Sequence, residues 1–500
     1  MNNYFTIIIT SVITLFIFFY FWAKYKLNYW QRKGVPTLPT NIIFGNFKDS
    51  FFQRTAPGFL FGELYHQVKN DPPYMGIYIM YKPFLLLRDP EIIKQMFVKD
   101  FNYFQNRYFT ARNRNDRLGS DNLFSIHNPQ WKYIRSKISP VFTSGKLKQL
   151  FGLIVETSDF LKSYLDDQFK EDVNGIKSIE AKEMSKMYTT DVVSSVAFGV
   201  RTNSFEVPTP EFYSRSSRKP TLLTAVQFFG MFFFPSLSQL FRFSFFGENT
   251  DFFRNVFWSS LNAREESKTE RGDIIDSLIK LKTEKQESIF KFEGDSLVAQ
   301  SAIFFIAGLE SSSTTIAFAL YELARNPEIQ DRARKEIREN LKENGLTYDS
   351  VNNMKYLMQI INETLRLYPP APILDRVADD DYQIPNSNVV IEKGTAVYVA
   401  LPGIQKDPKY FPNPEQFDPD RFSEENKNKI PSCTFMPFGE GPRICIGARI
   451  GLLQTAIGLI RILEDYQVTV NDKHKVKIDT RIFFTLPMNG VHLFFKKINT

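Results

Sequence analysis

Cysteine is nearly absent from this chain: Cys433 and Cys445 are the two in 500 residues. Two thiols cannot build a disulfide framework, so the part of the chain outside any membrane is expected in a reducing compartment. Linkers rich in glycine, serine or proline that would split the chain into comparable pieces are lacking. Repeats at solenoid-like periods are lacking too. Length alone would suggest about three domains, but without such seams one large globular unit is the simpler expectation. No basic stripe interleaved with aromatics occurs, and the formal charge is only +7. That argues against nucleic-acid binding and leaves room for a local basic patch. A dinucleotide fingerprint or flavin motif ahead of a helix is also missing, so any electrons the chain uses must come from elsewhere. What abounds is phenylalanine, 50 residues. Codon bias and selection for an aromatic-lined cavity are equally open explanations.

The one long uncharged run is at the start, "YFTIIITSVITLFIFFYFWA", from Tyr4 to Ala23. It is about as long as a helix must be to span a bilayer. Tyr20 and Trp22 close it with rings suited to the interface, and Lys24, Lys26, Arg32 and Lys33 follow at once. Positive charge on that side keeps the body cytosolic. A cleaved signal peptide is the competing reading, and it lacks both a basic n-region and a small-x-small cleavage site. Residues 1–23 are therefore expected to be a membrane anchor. Residues 24–46 are expected to be a basic flank and proline-rich hinge, because Pro36 and Pro39 forbid a continuing helix.

Beyond the hinge the signals are mostly helical from about Glu91 to Phe318. The clearest segment opens near Asp295 and Ser296, stays apolar for several turns and breaks at Asn326-Pro327, as befits the centre of a large protein. A second helix, "MKYLMQIINETLRL", ends before Tyr368-Pro369-Pro370. "PNSNVVIEKGTAVYVALP" alternates like strand and turn, and "DPKYFPNPEQFDPDRF" has no usable period. The fold class expected is mainly α with small β-sheets, plus one N-terminal transmembrane helix.

A buried cysteine is usually a small hydrophobe, and Cys433 reads as one. Cys445 differs because it stands at the entrance to a final helix, where free N–H groups favour thiolate over thiol. Gly439, Gly441 and Gly447 permit a tight turn and close approach to something bulky, and Arg443 can pair with an anion. Soft thiolate suits iron, and thiolate-ligated haem is one of the few cofactors served by a single cysteine.

"PFGEGPRICIG" resembles the haem-binding loop of the cytochrome P-450 superfamily at Phe438, Gly439, Arg443, Cys445 and Gly447. Three further segments agree in the expected order. Glu363 and Arg366 in "NETLR" look like the family's Glu-x-x-Arg pair, with Arg421 in "DPDRF" as its third member. "AGLESSS" resembles the oxygen-binding stretch of the central helix, and "WKYIR" the helix that meets the haem propionates. The resemblance covers essentially the whole chain. Phrases such as "SPVFTSGKLK" look most like insect microsomal enzymes related to vertebrate drug-metabolising forms.

The resemblance implies that residues 47–500 form a single haem-binding catalytic domain. Cys445 becomes the axial ligand of the iron in haem b, its thiolate favouring O–O cleavage. Phe438 packs beside the loop, and Arg443, Arg135, Trp131 and Arg376 meet the propionates. Glu363, Arg366 and Arg421 form a structural ion network. Ala307 and Gly308 let the central helix widen for dioxygen. Glu310 and Ser311 are the acid–alcohol pair that relays protons, with Ser312 as the weaker candidate; a helix whose hydroxyls bond back to their own carbonyls is the bland alternative. Serine replaces the commoner threonine at 311, which puts coupling in doubt, and Gln405 stands where many relatives carry histidine.

The substrate cavity is expected from Phe104, Phe109, Phe124, Phe304, Ile373, Leu374, Phe484 and Thr485, all but one apolar. Such pockets suit lipophilic ligands, although core packing explains any single phenylalanine as well. Val226 to Phe246 reads either as a segment dipping into the bilayer or as a buried helix pair. Lys132, Lys137, Lys146, Lys148 and Arg449 could steer an acidic reductase, with solvated surface charge as the alternative. The implied activity is an NADPH- and O2-dependent monooxygenase of foreign lipophilic compounds, anchored in the endoplasmic reticulum with a cytosolic catalytic domain. NADPH–cytochrome P-450 reductase, cytochrome b5 and membrane lipids are the implied partners. A dedicated hydroxylase of a hormone or lipid, a non-oxidative isomerase and a haem-binding sensor are the alternatives.

Overall fold

The apolar stretch after Glu293 has few polar residues on any face, so it can only be satisfied inside. In the computed structural model, which describes residues 2–111, 116–171, 175–206, 208–217 and 221–498, that stretch is a buried helix through the middle of the molecule. In chain order the helices that frame the site are α1 (Asn2–Leu27), α2 (Gln130–Ile138), α3 (Ser144–Gln168), α4 (Ala181–Phe198), α5 (Leu222–Phe233), the central α6 (Asp295–Arg325), α7 (Lys355–Leu367) and α8 (Ala448–Leu463). Helix α6 ends where Asn326 precedes Pro327, whose ring blocks further turns. Helices α4, α7 and α8 pack along it.

The strands are β1 (Tyr74–Ile79), β2 (Lys82–Leu87), β3 (Ile176–Glu180), β4 (Ile373–Val377), β5 (Tyr382–Gln383), β6 (Val390–Ile391), β7 (Ala396–Ala400), β8 (Tyr466–Val470) and β9 (His492–Lys497). A mixed sheet runs in the order β1-β2-β7-β4, a second β3-β9-β8, and β5 pairs with β6. Strands β2 and β7 are parallel, with Phe84 opposite Ala396, while β4 lies antiparallel to β7, with Leu374 opposite Val399. β1 and β7 are buried along their whole length, which explains their unbroken apolar and aromatic composition. One hydrophobic cluster surrounds the helices and another surrounds the mixed sheet. The chain is thus mainly α with small sheets.

Among the described residues, two helices are long and apolar enough to cross a membrane. The apolar run from Tyr4 to Trp22 is exposed along its length, whereas Asp295–Arg325 is two-thirds buried and belongs to the core. The helix at the N-terminus does not stop at Ala23. It continues through the basic flank to Leu27, and a further turn spans Tyr29–Arg32. The connector is not free of the globule either. Trp30 is fully buried, its ring 2.2 Å from where a side chain on Gly76 would begin, and its backbone N–H donates to the Tyr78 hydroxyl at 2.9 Å.

The stretch from Leu222 to Phe246 divides between surface and core. Leu222, Leu223, Val226, Leu237, Leu240 and Phe241 are exposed, while Met231, Phe232 and Phe233 are buried.

Candidate active site

Cys445 precedes α8 by three residues, on a loop folded back so that its N–H donates to the Phe438 carbonyl at 2.8 Å. Gly441 makes that loop possible. Its φ is +71°, and a Cβ there would lie 2.1 Å from the Phe97 carbonyl oxygen. Gly439 also has positive φ, and the nearest side chain across from it is Leu374. Burial raises the Cys445 thiol pKa, opposed by the Gly447 N–H and by the charges of Arg135 and Arg107. The residue is nevertheless exposed, in contrast to buried Cys433.

Beside this loop lies an unbalanced set of arginines. Arg443 donates to the carbonyls of Gln105 (2.9 Å) and Ile126 (3.2 Å) and stacks on Trp131 at 4.1 Å. Arg376 donates to the carbonyls of Asp375 (2.7 Å) and Glu440 (3.4 Å) and lies over Phe97. Arg107 pairs with Asp375 at 3.0 Å and stacks on Phe124. The carboxylates nearby are already engaged: Asp375 also accepts the Phe109 N–H, and Asp379 accepts from Gln105 and Asn106. Burial and Arg107 pull the Arg376 guanidinium down to about 9. Burial, Arg107 and Arg376 pull Arg443 down to about 8. Arg107 Nε, Arg376 Nε and Arg443 Nη1 are buried without a hydrogen-bond acceptor. Guanidinium groups buried in this way are stabilised by anions that receive them, and a carboxylate-bearing group would match the three open N–H positions.

Sequence reasoning put Arg135 in this set and missed Arg107. Arg135 instead donates to the Ile444 carbonyl at 3.0 Å, next to Cys445, and ties α2 to the ligand loop. Arg107 falls in the Phe104–Phe124 segment, of which residues 112–115 lie outside the described residues. An arginine between Asn106 and Tyr108 carries no signal of its own; only the folded chain brings it to Arg376 and Arg443.

On α6, Glu310 and Ser311 point to different sides. The Glu310 carboxylate accepts from Lys182 at 2.9 Å and from Lys186, both on α4, and Lys182 also reaches Ser313. Burial alone would raise the Glu310 pKa, but the two ammonium groups hold it down to about 2. The Ser311 hydroxyl donates to the Ala307 carbonyl at 2.6 Å, the back-bonding that the bland reading anticipates. Ser312 is buried and accepts from Gln454, which also donates to the Gly308 carbonyl at 2.9 Å. This removes Ser312 from any cavity-facing role.

The expected widening at Ala307-Gly308 is not seen. α6 remains α-helical there, and a Cβ on Gly308 would lie 2.8 Å from Val193 Cγ1. The glycine serves the close approach of α4, while Ala307 faces open space. The lysines at 182 and 186 were missed; their i, i+4 spacing, which puts both on one helix face, was the available signal.

Because the folded Glu310 pKa lies below the ordinary 4.5, its carboxylate stabilises the fold fully above that value. The contribution is lost as the pH falls toward about 2. Lys182→Met removes part of this depression, so its denaturation midpoint is expected to fall less steeply than wild type across that window. Parallel curves for the two proteins would show that Lys182 does not act on Glu310.

Glu363 and Arg366, both fully buried on α7, form a two-pronged pair at 2.8 and 2.7 Å. Arg366 also donates to the carbonyls of Gln405 (2.9 Å) and Gln416 (3.2 Å), and the Asp418 N–H donates to Glu363 at 2.9 Å. Arg421 lies 3.4 Å from Glu363 as an ion pair and donates to the Asn413 carbonyl at 2.9 Å. Gln405 does not approach the arginine set. Its amide donates to the carbonyls of Leu365 and Arg366 and accepts the Met436 N–H, so it joins α7 to the start of the cysteine loop.

The residues expected to line a cavity separate into groups. Phe109 packs on Phe124 (5.2 Å), Phe232 (4.6 Å) and Phe245 (5.8 Å), and Phe232 stacks on Phe483 at 3.8 Å with Phe484 at 5.9 Å. Phe104 is fully buried against Tyr382 in the sheet cluster, and Phe304 packs on Phe142 beside α2. Ile373 and Leu374 are buried on β4. The Thr485 hydroxyl is spent on the Pro369 carbonyl.

The family model of cytochrome P-450 matches residues 36–494. Cytochrome P-450 6k1 of Blattella germanica is 40% identical over 97% of this chain and 96% of its own. The probable cytochrome P-450 6g2 of Drosophila melanogaster is 40% identical over 93% and 94%, and cytochrome P-450 6j1 of Blattella germanica 35% over 98% of both. An exposed cysteine beside buried arginines that keep N–H groups without acceptors fits the haem and its two propionates on which that family depends. The chain belongs to the cytochrome P-450 family, as a monooxygenase most similar to insect members.

Proposed function

We propose that this enzyme oxidises lipophilic foreign compounds at the endoplasmic reticulum, taking electrons from NADPH through a separate reductase. The open Cys445 thiol beside the anion-deficient arginines carries this reading. Cys445 would hold the iron, and Arg107, Arg376, Arg443 and Trp131 would hold the propionates. When bound, the haem supplies dioxygen activation and oxygen transfer, which thiolate donation favours.

The chain's own residues supply the rest. Ser311 Oγ, turned from the Ala307 carbonyl, hands a proton into the cavity. The hydroxyl takes its proton back from water, and Glu310, ionised between two lysines, accepts a hydrogen bond from that water and orients it. The aromatic cluster around Phe109, Phe232 and Phe484 excludes water and offers no charged anchor, which suits apolar substrates. Helix α5 connects that cluster to the apolar surface at Leu222, Leu223 and Val226, so ligands dissolved in the bilayer have a short route inward.

For the reductase and cytochrome b5, Lys132 on α2, Lys146 on α3 and Arg449 on α8 would supply cationic contacts. Lys137 and Lys148 already pair with Glu284 and Asp349.

Purified protein reconstituted with a reductase tests the reading. NADPH- and O2-dependent oxidation of several unrelated lipophilic compounds is expected. Haem-loaded protein that consumes no NADPH with reductase would sink it, and turnover of one compound alone would favour a dedicated biosynthetic role. Ser311→Ala is expected to raise NADPH consumed per product severalfold, Ser311→Thr to lower it, and Ser312→Ala to leave it unchanged. Equal coupling in all three variants would remove Ser311 from the proton path.

A further inference from the structure

A second binding site lies where α1 leaves the bilayer, far in sequence from the cysteine loop. A cleft of about 260 Å³ is lined by Tyr25, Lys26, Tyr29, Arg32, Tyr81 and Pro83. One wall is the last turn of α1 with the helical turn after it. The other is the β1–β2 turn, held against α1 because Trp22 and Phe19 pack on Tyr81 at 4.8 and 5.9 Å. The cleft therefore sits one turn beyond the end of the uncharged run, at the depth of lipid headgroups.

Its walls are preorganised. Arg32 stacks on Tyr25 at 4.1 Å and donates to the Tyr25 carbonyl at 2.6 Å. Tyr29 donates to Glu392 at 2.9 Å and packs on buried Trp30. The nearby carboxylate, Glu392, is taken by Tyr29 and by Lys33 at 2.6 Å. Among the described residues no carboxylate pairs with Lys26 or Arg32. Two cations and tyrosine rings in a fixed cleft, with no internal anion, match one phosphodiester: arginine as a planar fork, lysine as a point charge, and the rings along the glycerol.

We infer that this cleft binds the headgroup of an anionic phospholipid from the cytosolic leaflet, an inference that rests on α1 spanning the membrane.

The test uses the full-length, haem-loaded protein in phosphatidylcholine vesicles carrying a trace of spin-labelled phosphatidylserine or, separately, spin-labelled phosphatidylcholine. Wild type is expected to immobilise the anionic label selectively. Each cation near such a surface is worth roughly a fivefold change in partition, so Lys26→Gln/Arg32→Gln should lose selectivity by about that factor per charge. Lys24→Gln/Lys48→Gln removes equal charge outside the cleft and should retain most of it. Equal loss in the two double variants would reduce the effect to diffuse attraction and overturn the site. Displacement of the label by millimolar inorganic phosphate would overturn the lipid as its occupant. Flotation with the vesicles separates the two levels: protein that floats without selectivity has a span and no site, and protein that does not float has neither.

Discussion

Replacing Cys445 by alanine is expected to abolish the red-shifted carbon-monoxide band of the reduced protein together with all NADPH-dependent turnover. Cys433→Ala should keep both. The contrast follows from placement. Cys445 is the cysteine with open surface, whereas Cys433 is buried in the sheet cluster with its sulfur 3.7 Å from the Ser432 hydroxyl. The loop should survive the Cys445 substitution, because its closing bond to Phe438 comes from the backbone N–H. The arginines proposed to receive the propionates are untouched as well. Some haem should therefore remain bound, so total haem and the position of the carbon-monoxide band must be measured together. A red-shifted band in Cys445→Ala, or its loss in Cys433→Ala, would overturn the assignment.

The largest loss of stability is expected at Glu363 and Arg366. Alanine at either leaves the other charge buried without its partner, a cost of about 3–5 kcal/mol. Most of the fold's net stability would go with it, and little haem should be retained. The double variant Glu363→Leu/Arg366→Met removes both charges but still orphans the carbonyls of Gln405 and Gln416 and the Asp418 N–H. It should remain destabilised, yet by clearly less than the two single losses added together. Arg421→Met should be milder than either single change, since Arg421 meets Glu363 at 3.4 Å without a hydrogen bond. Denaturant midpoints and haem content across the set decide the matter. Single variants within about 1 kcal/mol of wild type would mean that water or a shifted side chain neutralises the stranded charge.

Punctuation made much of the fold legible. The ends of α6 and α7 are written in Asn326-Pro327 and in Tyr368-Pro369-Pro370, because proline acts through its own ring and needs no tertiary help. The turn ahead of Cys445 was legible for a similar reason, since Gly439 and Gly441 encode backbone shape locally. Residues whose meaning depends on distant partners were not. Arg107 becomes part of the arginine set only when the chain brings it to Asp375, 268 residues away. Gly308 looked like a feature of the oxygen-binding turn and proved to be the point where Val193 approaches. The phenylalanines divided only on folding: Phe109 joined an aromatic cluster reaching the C-terminal segment, while Phe104 went to the sheet. Composition counts rings and cannot sort them by face.

The burial of Trp30 determines where the molecule can be cut. Shortened, soluble forms are the natural material for crystals or calorimetry, and removing the first 23 residues costs the contacts of Phe19 and Trp22 with Tyr81 and the burial of Ala23. A deletion reaching past Trp30 would instead empty a space shaped by Gly76 and strand the Tyr78 hydroxyl. The N-terminal helix is thus a handle fixed to the body by a wedge, so a rigid reorientation of the helix is passed to the globule.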